Sequence, residues 1–143
     1  MINKENKQGY ENHPIQLITL KVLELSIKVI PESIQFEQPI VEQFSLFHGC
    51  SEYNHEDNTI GVRIGVEIGE ELKEVPFKLR VEILGVFKVD ENKFPLNFLE
   101  KWAENNAPLI LYPYLREHVF SLSSRAGFDG TLLPLFQVPT FFK

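Results

Sequence analysis

Asn106-Ala-Pro-Leu-Ile-Leu-Tyr-Pro-Tyr-Leu-Arg-Glu-His-Val-Phe-Ser-Leu-Ser-Ser-Arg-Ala-Gly-Phe128 is the stretch that decides the fold. Leu111, Leu115, Val119, Leu122 and Ala126 recur at steps of four, four, three and four, which puts them on one face of a helix. Arg116, Glu117, Ser121 and Ser124 fall off that face. Arg125 meets the negative end of the helix dipole, and Gly127 supplies the left-handed conformation that ends a helix. Phe128 is then expected to fold back on the last turn. Pro108 suits a first turn. Pro113 lacks the N–H that a helix begun at Leu109 would use, so the regular helix is expected to start near Leu111 or to kink there.

The chain before this helix reads as strands. Leu23, Leu25, Ile27 and Val29 alternate with Glu24, Ser26 and Lys28 in a first strand from Ile15 to Ile30. Its early part, Gln16 to Leu20, is apolar at both phases, which suggests that both faces are covered there. Pro31 and Pro39 bracket a connection. Phe44, Leu46, His48 and Cys50 share one phase of a second strand, which ends in the polar cluster Asn54 to Asn58.

Ile60, Val62, Ile64, Val66 and Ile68 occupy one phase of a third strand, against Gly61, Arg63, Gly65 and Glu67. After a polar turn, Val75, Phe77, Leu79, Val81 and Ile83 alternate with Lys78, Arg80 and Glu82. Two such segments joined by a short turn predict a hairpin with one buried face. Asp90 to Lys93 is a loop, and Asn97 with Glu100 predicts a capping box for a short helix carrying Leu99, Trp102 and Ala103. Strands first and helices after make an α+β fold: an antiparallel sheet of four strands with helices packed on one face. Residues 1–14 read as a flexible polar N-terminal tail, and residues 15–143 as a single domain.

Composition narrows the function. Hydrophobic content is 43% and charged content 24%, which fits a globular protein with a real core. A net charge of -6 argues against nucleic-acid binding, which needs a basic surface. One cysteine rules out an internal disulfide and fits a reducing compartment. No apolar run is long enough for a membrane span, and the N-terminus has no signal-like apolar core, so the expectation is a cytoplasmic protein.

No convergent catalytic set stands out, and no enzyme is expected. His48, Cys50 and His55 lie close in sequence but lack the paired spacing of a metal site, so neither a metal nor a cofactor is expected. Gly61, Gly65 and Gly69 recur at every fourth position without the strand-to-helix turn of a phosphate loop. They read as a thin part of the sheet where another group packs closely. Arg116 is expected to pair with a carboxylate or to cap backbone carbonyls. The 12 Phe are many for this length. They fill a core or line an apolar groove that would bind extended apolar chains, and composition leaves both open.

Three pieces of the last third carry a family resemblance. They are Ala107-Pro-Leu-Ile-Leu-Tyr-Pro-Tyr-Leu-Arg-Glu117, Ser124-Arg-Ala-Gly-Phe128 and Leu132-Leu-Pro-Leu-Phe-Gln-Val-Pro-Thr-Phe-Phe142. In order and spacing they resemble the SecB family of export chaperones. The resemblance implies an ATP-independent holdase for unfolded polypeptides, assembled as a homo-oligomer, a dimer or a tetramer. It implies a peptide groove, for which Phe44, Leu46, Phe47, Tyr53, Trp102, Phe136, Phe141 and Phe142 are the candidates. It assigns Phe77, Leu79, Val81 and Ile83, with Leu115 and Val119, to assembly.

Two departures bear on export. The family continues beyond its Val-x-Phe segment into another helix and an acidic tail, whereas this sequence stops at Lys143. The family's surface for the motor SecA is acidic, and the matching positions here are Glu24, Lys28, Lys78 and Arg80. Only Glu24 keeps the sign, so a partner that recognises carboxylates is expected to be repelled. The variant reading is a chaperone dedicated to one client, such as an antitoxin. The reading from another class is a ligand-binding or scaffolding domain whose aromatics are all internal.

Overall fold

The computed structural model describes residues 9–30, 44–69 and 76–136. Strands β1 (Ile15–Val29), β2 (Phe44–Cys50), β3 (Thr59–Ile68) and β4 (Phe77–Val89) come first. A 3-10 turn (Leu96–Phe98), a short helix α1 (Leu99–Asn105) and a long helix α2 (Ala107–Arg125) follow. All strand pairs are antiparallel, in the order β1-β4-β3-β2. The α+β expectation holds, with both helices on one face.

Registration explains which face that is. Ile64 lies opposite Ile83, Val66 opposite Val81 and Ile68 opposite Leu79. Directly opposed residues share a face, so the β-branched phase of β3 and the apolar phase of β4 form one continuous inner surface. Val62, Val66 and Val81 are fully buried there. The helix α2 covers this surface with Ala107, Leu111, Leu115, Val119 and Leu122, each at most 7% exposed. Gly85 marks the closest approach, since a Cβ there would sit 2.7 Å from Leu111 Cδ2. Trp102 of α1 meets Phe87 of β4 edge-on, with ring centroids 5.2 Å apart.

The helix differs from its expected start. It runs unbroken from Ala107, with Pro108 in the first turn and Pro113 inside. The first-turn N–H groups of a helix have no intrahelical partner, and Pro113 removes only one bond close to that end. The far end closes as expected. Gly127 has φ 101°, its N–H donates to Ser124 O, and Phe128 N–H donates to Ser123 O. This is a Schellman motif, and the Phe128 ring then packs on Phe77 at 5.1 Å. The capping box at Asn97 does not form: α1 begins after a 3-10 turn, and no side chain caps it.

Strand β1 corrects another expectation. The double apolar phase near Gln16–Leu20 reflects two β-bulges, at Ile18 and at Leu23, where β1 gains a residue relative to β4. A one-residue slip turns every later side chain to the other face. The inward set therefore switches from Ile15 and Leu17 to Leu20 and Val22, and then to Leu25, Ile27 and Val29. Among the described residues β1 is also a sheet edge. Ile18, Leu20, Val22, Leu23 and Leu25 remain 38–54% exposed, so neither face is closed there. At the start of β1, His13 and Pro14, assigned to the tail from sequence, hold the body of the fold. The Asp90 N–H donates to Pro14 O at 2.8 Å, and the His13 ring lies near Trp102.

The helix–sheet contact sets the stability. Leu115→Ala is expected to cost about 2–5 kcal/mol, because Leu115 has no exposed surface and the site cannot collapse onto a rigid sheet. Leu132→Ala, at a residue 66% exposed, is expected to change stability by no more than about 0.5 kcal/mol. Urea unfolding of the two variants checks this, and equal costs would contradict the core described above.

Candidate functional site

The apolar cleft of the inner face lies between the end of β2 and α1. Cys50, Tyr53, Ile60, Leu96, Leu99 and Glu100 line an open space of about 360 Å³. β2 brings Cys50 here because Phe44, Leu46, His48 and Cys50 pair with Ile68, Val66, Ile64 and Val62 on the inner side. The 3-10 turn brings Leu96. The turn after β2 brings Tyr53, held by its hydroxyl donating to Glu91 Oε2 at 2.6 Å. Asn54 shapes that turn, its side-chain oxygen accepting from the Glu56 and Asp57 N–H groups.

The cleft is apolar in the middle and acidic at its rim. Partial burial, then the charges of Glu104 and Glu100, push the Cys50 thiol up from its ordinary value. Burial and the bond to Glu91 push the Tyr53 phenol up to about 12. Both groups are therefore neutral at physiological pH, and neither is activated as a nucleophile or base. Among the described residues no group of three or more His, Cys, Asp or Glu is placed to hold a metal ion. A larger cleft, of about 520 Å³, lies where the start of β1 meets the Asp90–Lys93 loop, but its lining is mostly polar.

The outer face of the sheet is built on charge. Arg80 is its hub: Nε donates to Glu24 Oε1 at 2.8 Å, Nη1 to Glu67, and Nη2 to Glu82 Oε1 at 3.3 Å. Arg63 takes the other oxygen of Glu82 at 2.5 Å. The Phe47 ring lies over the Arg80 guanidinium at 4.7 Å. It fills the space that a side chain at Gly65 would need. The close-packing reading of this glycine is correct, and Phe47 is the group that packs.

A third surface runs along the back of α2. The Thr131 N–H donates to Ser123 Oγ at 2.8 Å, Arg116 Nε donates to Leu133 O at 2.8 Å, and the Tyr112 hydroxyl donates to Pro134 O at 2.5 Å. These contacts strap residues 131–134 to the helix, with Leu133 buried and Leu132 and Leu135 exposed. Arg116 thus caps carbonyls, one of its two expected roles. Burial pushes the Tyr112 phenol up, and the nearby Arg116 opposes that shift.

The residues singled out from sequence distribute over all of these surfaces. Of the groove candidates, Tyr53 lines the cleft, and Phe44 and Leu46 share its face of the sheet. Phe47 lies on the opposite face, because it pairs with Gly65. Trp102 is buried in the core, and Phe136 packs against Tyr112 at 5.3 Å. Phe141 and Phe142 lie outside the described residues.

The assembly candidates Phe77, Leu79, Val81, Ile83, Leu115 and Val119 are all at most 3% exposed within this chain. They hold the protomer's own core. Glu24, Lys28, Lys78 and Arg80 do share one surface, the outer face. Sequence reading missed Leu96 and Leu99 as cleft walls. It also missed the exposed apolar residues of β1, whose only signal was the broken alternation.

Known proteins share this arrangement. The family model described as preprotein translocase subunit SecB matches residues 6–139. A protein-export protein SecB of Saccharophagus degradans is 33% identical over 88 residues, 62% of this chain. The match spans 50% of that relative's length. A SecB-like chaperone of Mycobacterium tuberculosis, solved in complex with a ChAD peptide from an antitoxin, superposes with a TM-score of 0.67 at 17% identity. That match covers 89% of this chain and 94% of the other, and it shows the shared fold. Sheet, helices and strapped segment all fall inside the matched residues, and the chain belongs to the SecB family.

Proposed function

We propose that the chain is an ATP-independent holdase, which keeps unfolded polypeptides from aggregating and, in an export role, competent for translocation. The observation that carries the reading is the open cleft between β2 and α1. Its volume suits a few apolar side chains of an extended client. Burying them supplies free energy without sequence specificity, at about 25 cal/mol per Å². Tyr53, Leu96 and Leu99 form the walls, with Phe44 and Leu46 further along the same face. The reading requires no catalytic group, metal or cofactor. No helix among the described residues is long and apolar enough to cross a membrane.

Assembly follows from the edge strand. A fifteen-residue edge carrying Ile18, Leu20, Val22, Leu23 and Leu25 in the open is a template for pairing. A second copy, pairing β1 to β1, covers it in a homodimer. Ile110 and Tyr114, exposed on α2, suit the stacking of two dimers into a tetramer. For the motor SecA, the outer face offers few carboxylates: Glu24 is engaged by Arg80, beside Lys28 and Lys78. A single dedicated client is the second reading, favoured by the antitoxin peptide held by the mycobacterial protein of the same fold.

Calorimetry against a chemically unfolded, slow-folding polypeptide, without nucleotide, is expected to give a Kd of about 1 μM or tighter, about -8 kcal/mol. The folded form of the same polypeptide is expected not to bind. Failure with several unfolded chains would leave a single dedicated client or an ordinary packed domain. The single cysteine reports where the client sits. Cys50 alkylation is expected to be slow at neutral pH and to speed up as pH rises through its raised pKa. Saturating client should protect it, and unchanged alkylation would place the client elsewhere. Leu20→Lys with Val22→Lys is expected to yield monomers in sedimentation velocity, since the paired edge would bury two charges. An unaltered oligomer would exclude β1 from the interface.

A further inference from the structure

The outer face of the sheet has the opposite charge balance to the rest of the chain. The ladder places Lys21, Lys28, Arg63, Lys78, Arg80 and Lys88 on this face, against Glu24, Glu67 and Glu82. Six cations therefore oppose three carboxylates, in a sequence whose net charge is -6. Every one of those carboxylates is already engaged: Glu24 and Glu67 by Arg80, and Glu82 by both Arg80 and Arg63. Among the described residues, no carboxylate lies within ion-pair distance of Lys21, Lys28, Lys78 or Lys88.

The two like-charge pairs of the ladder are treated differently. Glu24 and Glu82 are directly opposed, and so are Lys28 and Lys78. Like charges directly opposed across strands destabilise a sheet. The glutamate pair is relieved inside the chain, since Arg80 bridges both carboxylates. Among the described residues the lysine pair has no such relief. A carboxylate from outside, set between the two ammonium groups, would play for them the part that Arg80 plays for the glutamates.

We propose that the outer face along β1 and β4 is a docking surface for an acidic polypeptide segment, centred on Lys28 and Lys78 and extending past Lys21 and Arg63 to Lys88. The ten residue steps from Lys78 to Lys88 span about 33 Å of strand. An extended segment of about ten residues with carboxylates along one side matches that length. A polypeptide fits better than a nucleic acid. The engaged glutamates interrupt the row of cations and break the continuous basic track that a phosphate backbone needs. This surface is on the other side of the sheet from the cleft, so its occupation is independent of the holdase reading.

The test uses the full chain and a dye-labelled peptide of about ten residues, alternating Glu and Gly, long enough to span the ladder. The peptide has no apolar side chain for the cleft, whose rim is acidic in any case. Anisotropy is expected to show binding that weakens as salt shortens the screening length from about 10 Å at 0.1 M to about 3 Å at 1 M. Lys28→Glu is expected to weaken binding at least fivefold. It also converts the repelling pair into an attractive one, so it should keep or raise the melting temperature. Lys21→Gln with Lys28→Gln and Lys78→Gln should weaken binding further, with affinity for an unfolded polypeptide unchanged. The proposal is overturned by wild-type affinity in these variants, by no peptide binding at low salt, or by a single-stranded oligonucleotide of equal charge binding more tightly than the peptide. Loss of unfolded-polypeptide binding in the unaltered chain would instead count against the holdase reading alone.

Discussion

The packing of α2 on the inner faces of β3 and β4 is the contact on which the rest of the structure depends. It places Leu111, Leu115 and Val119 over a surface of valines and isoleucines with no exposed area left. That contact fixes which side of each strand is inside. Once it is set, Arg63, Glu67, Arg80 and Glu82 must face the other side, where the buried Glu82 is paired with both arginines. It also fixes where the helix can begin. Leu111 must reach Gly85, so the turn before it is already helical, and the helix runs on through Pro113 without a break.

The surfaces left over have separate chemistry. On the inner side, α2 covers the centre of the sheet, and the margins on β2 and β1 stay partly open. The β2 margin becomes the cleft, and the β1 margin becomes an apolar edge. On the outer side, Arg80 ties three carboxylates together, with Phe47 across its guanidinium. The partly exposed pair of Arg80 with Glu24 contributes modestly to stability, at most about 1 kcal/mol, whereas Glu82 is buried and held by both Arg63 and Arg80. The effect of these pairs is to remove acidic charge from a surface where lysines remain. The cleft, the edge and the charged face are therefore three separate surfaces of one sheet and its helices.

Much of this was legible in the chain itself. The alternation of Ile60 to Ile68 and of Phe77 to Ile83 predicted both strands and their buried sides, and the glycine stop at Gly127 predicted the helix end with its Phe128 contact. Family membership was legible through the helix and the segment after it. The aromatic residues were not legible one by one. Phe44 and Phe47 are three apart in one strand, so alternation puts them on opposite faces, but nothing local says that Phe47 covers an arginine of β4. Trp102 resembled a groove residue, but the edge of Phe87 completes a buried pair with it.

What the sequence determined alone is periodic: two-residue alternation in the strands, the helical stripe, and the residues that stop each element. These follow from backbone geometry, which repeats identically wherever such residues occur. What only the tertiary structure decided is register. The two bulges of β1 depend on how its residues line up with β4, and they turn an apparently two-sided apolar strand into an exposed edge. The opposition of Lys28 to Lys78, and the bridging of Glu24 and Glu82 by Arg80, depend on the same alignment. Residues some fifty positions apart become neighbours only when strands pair, and no local pattern encodes that choice.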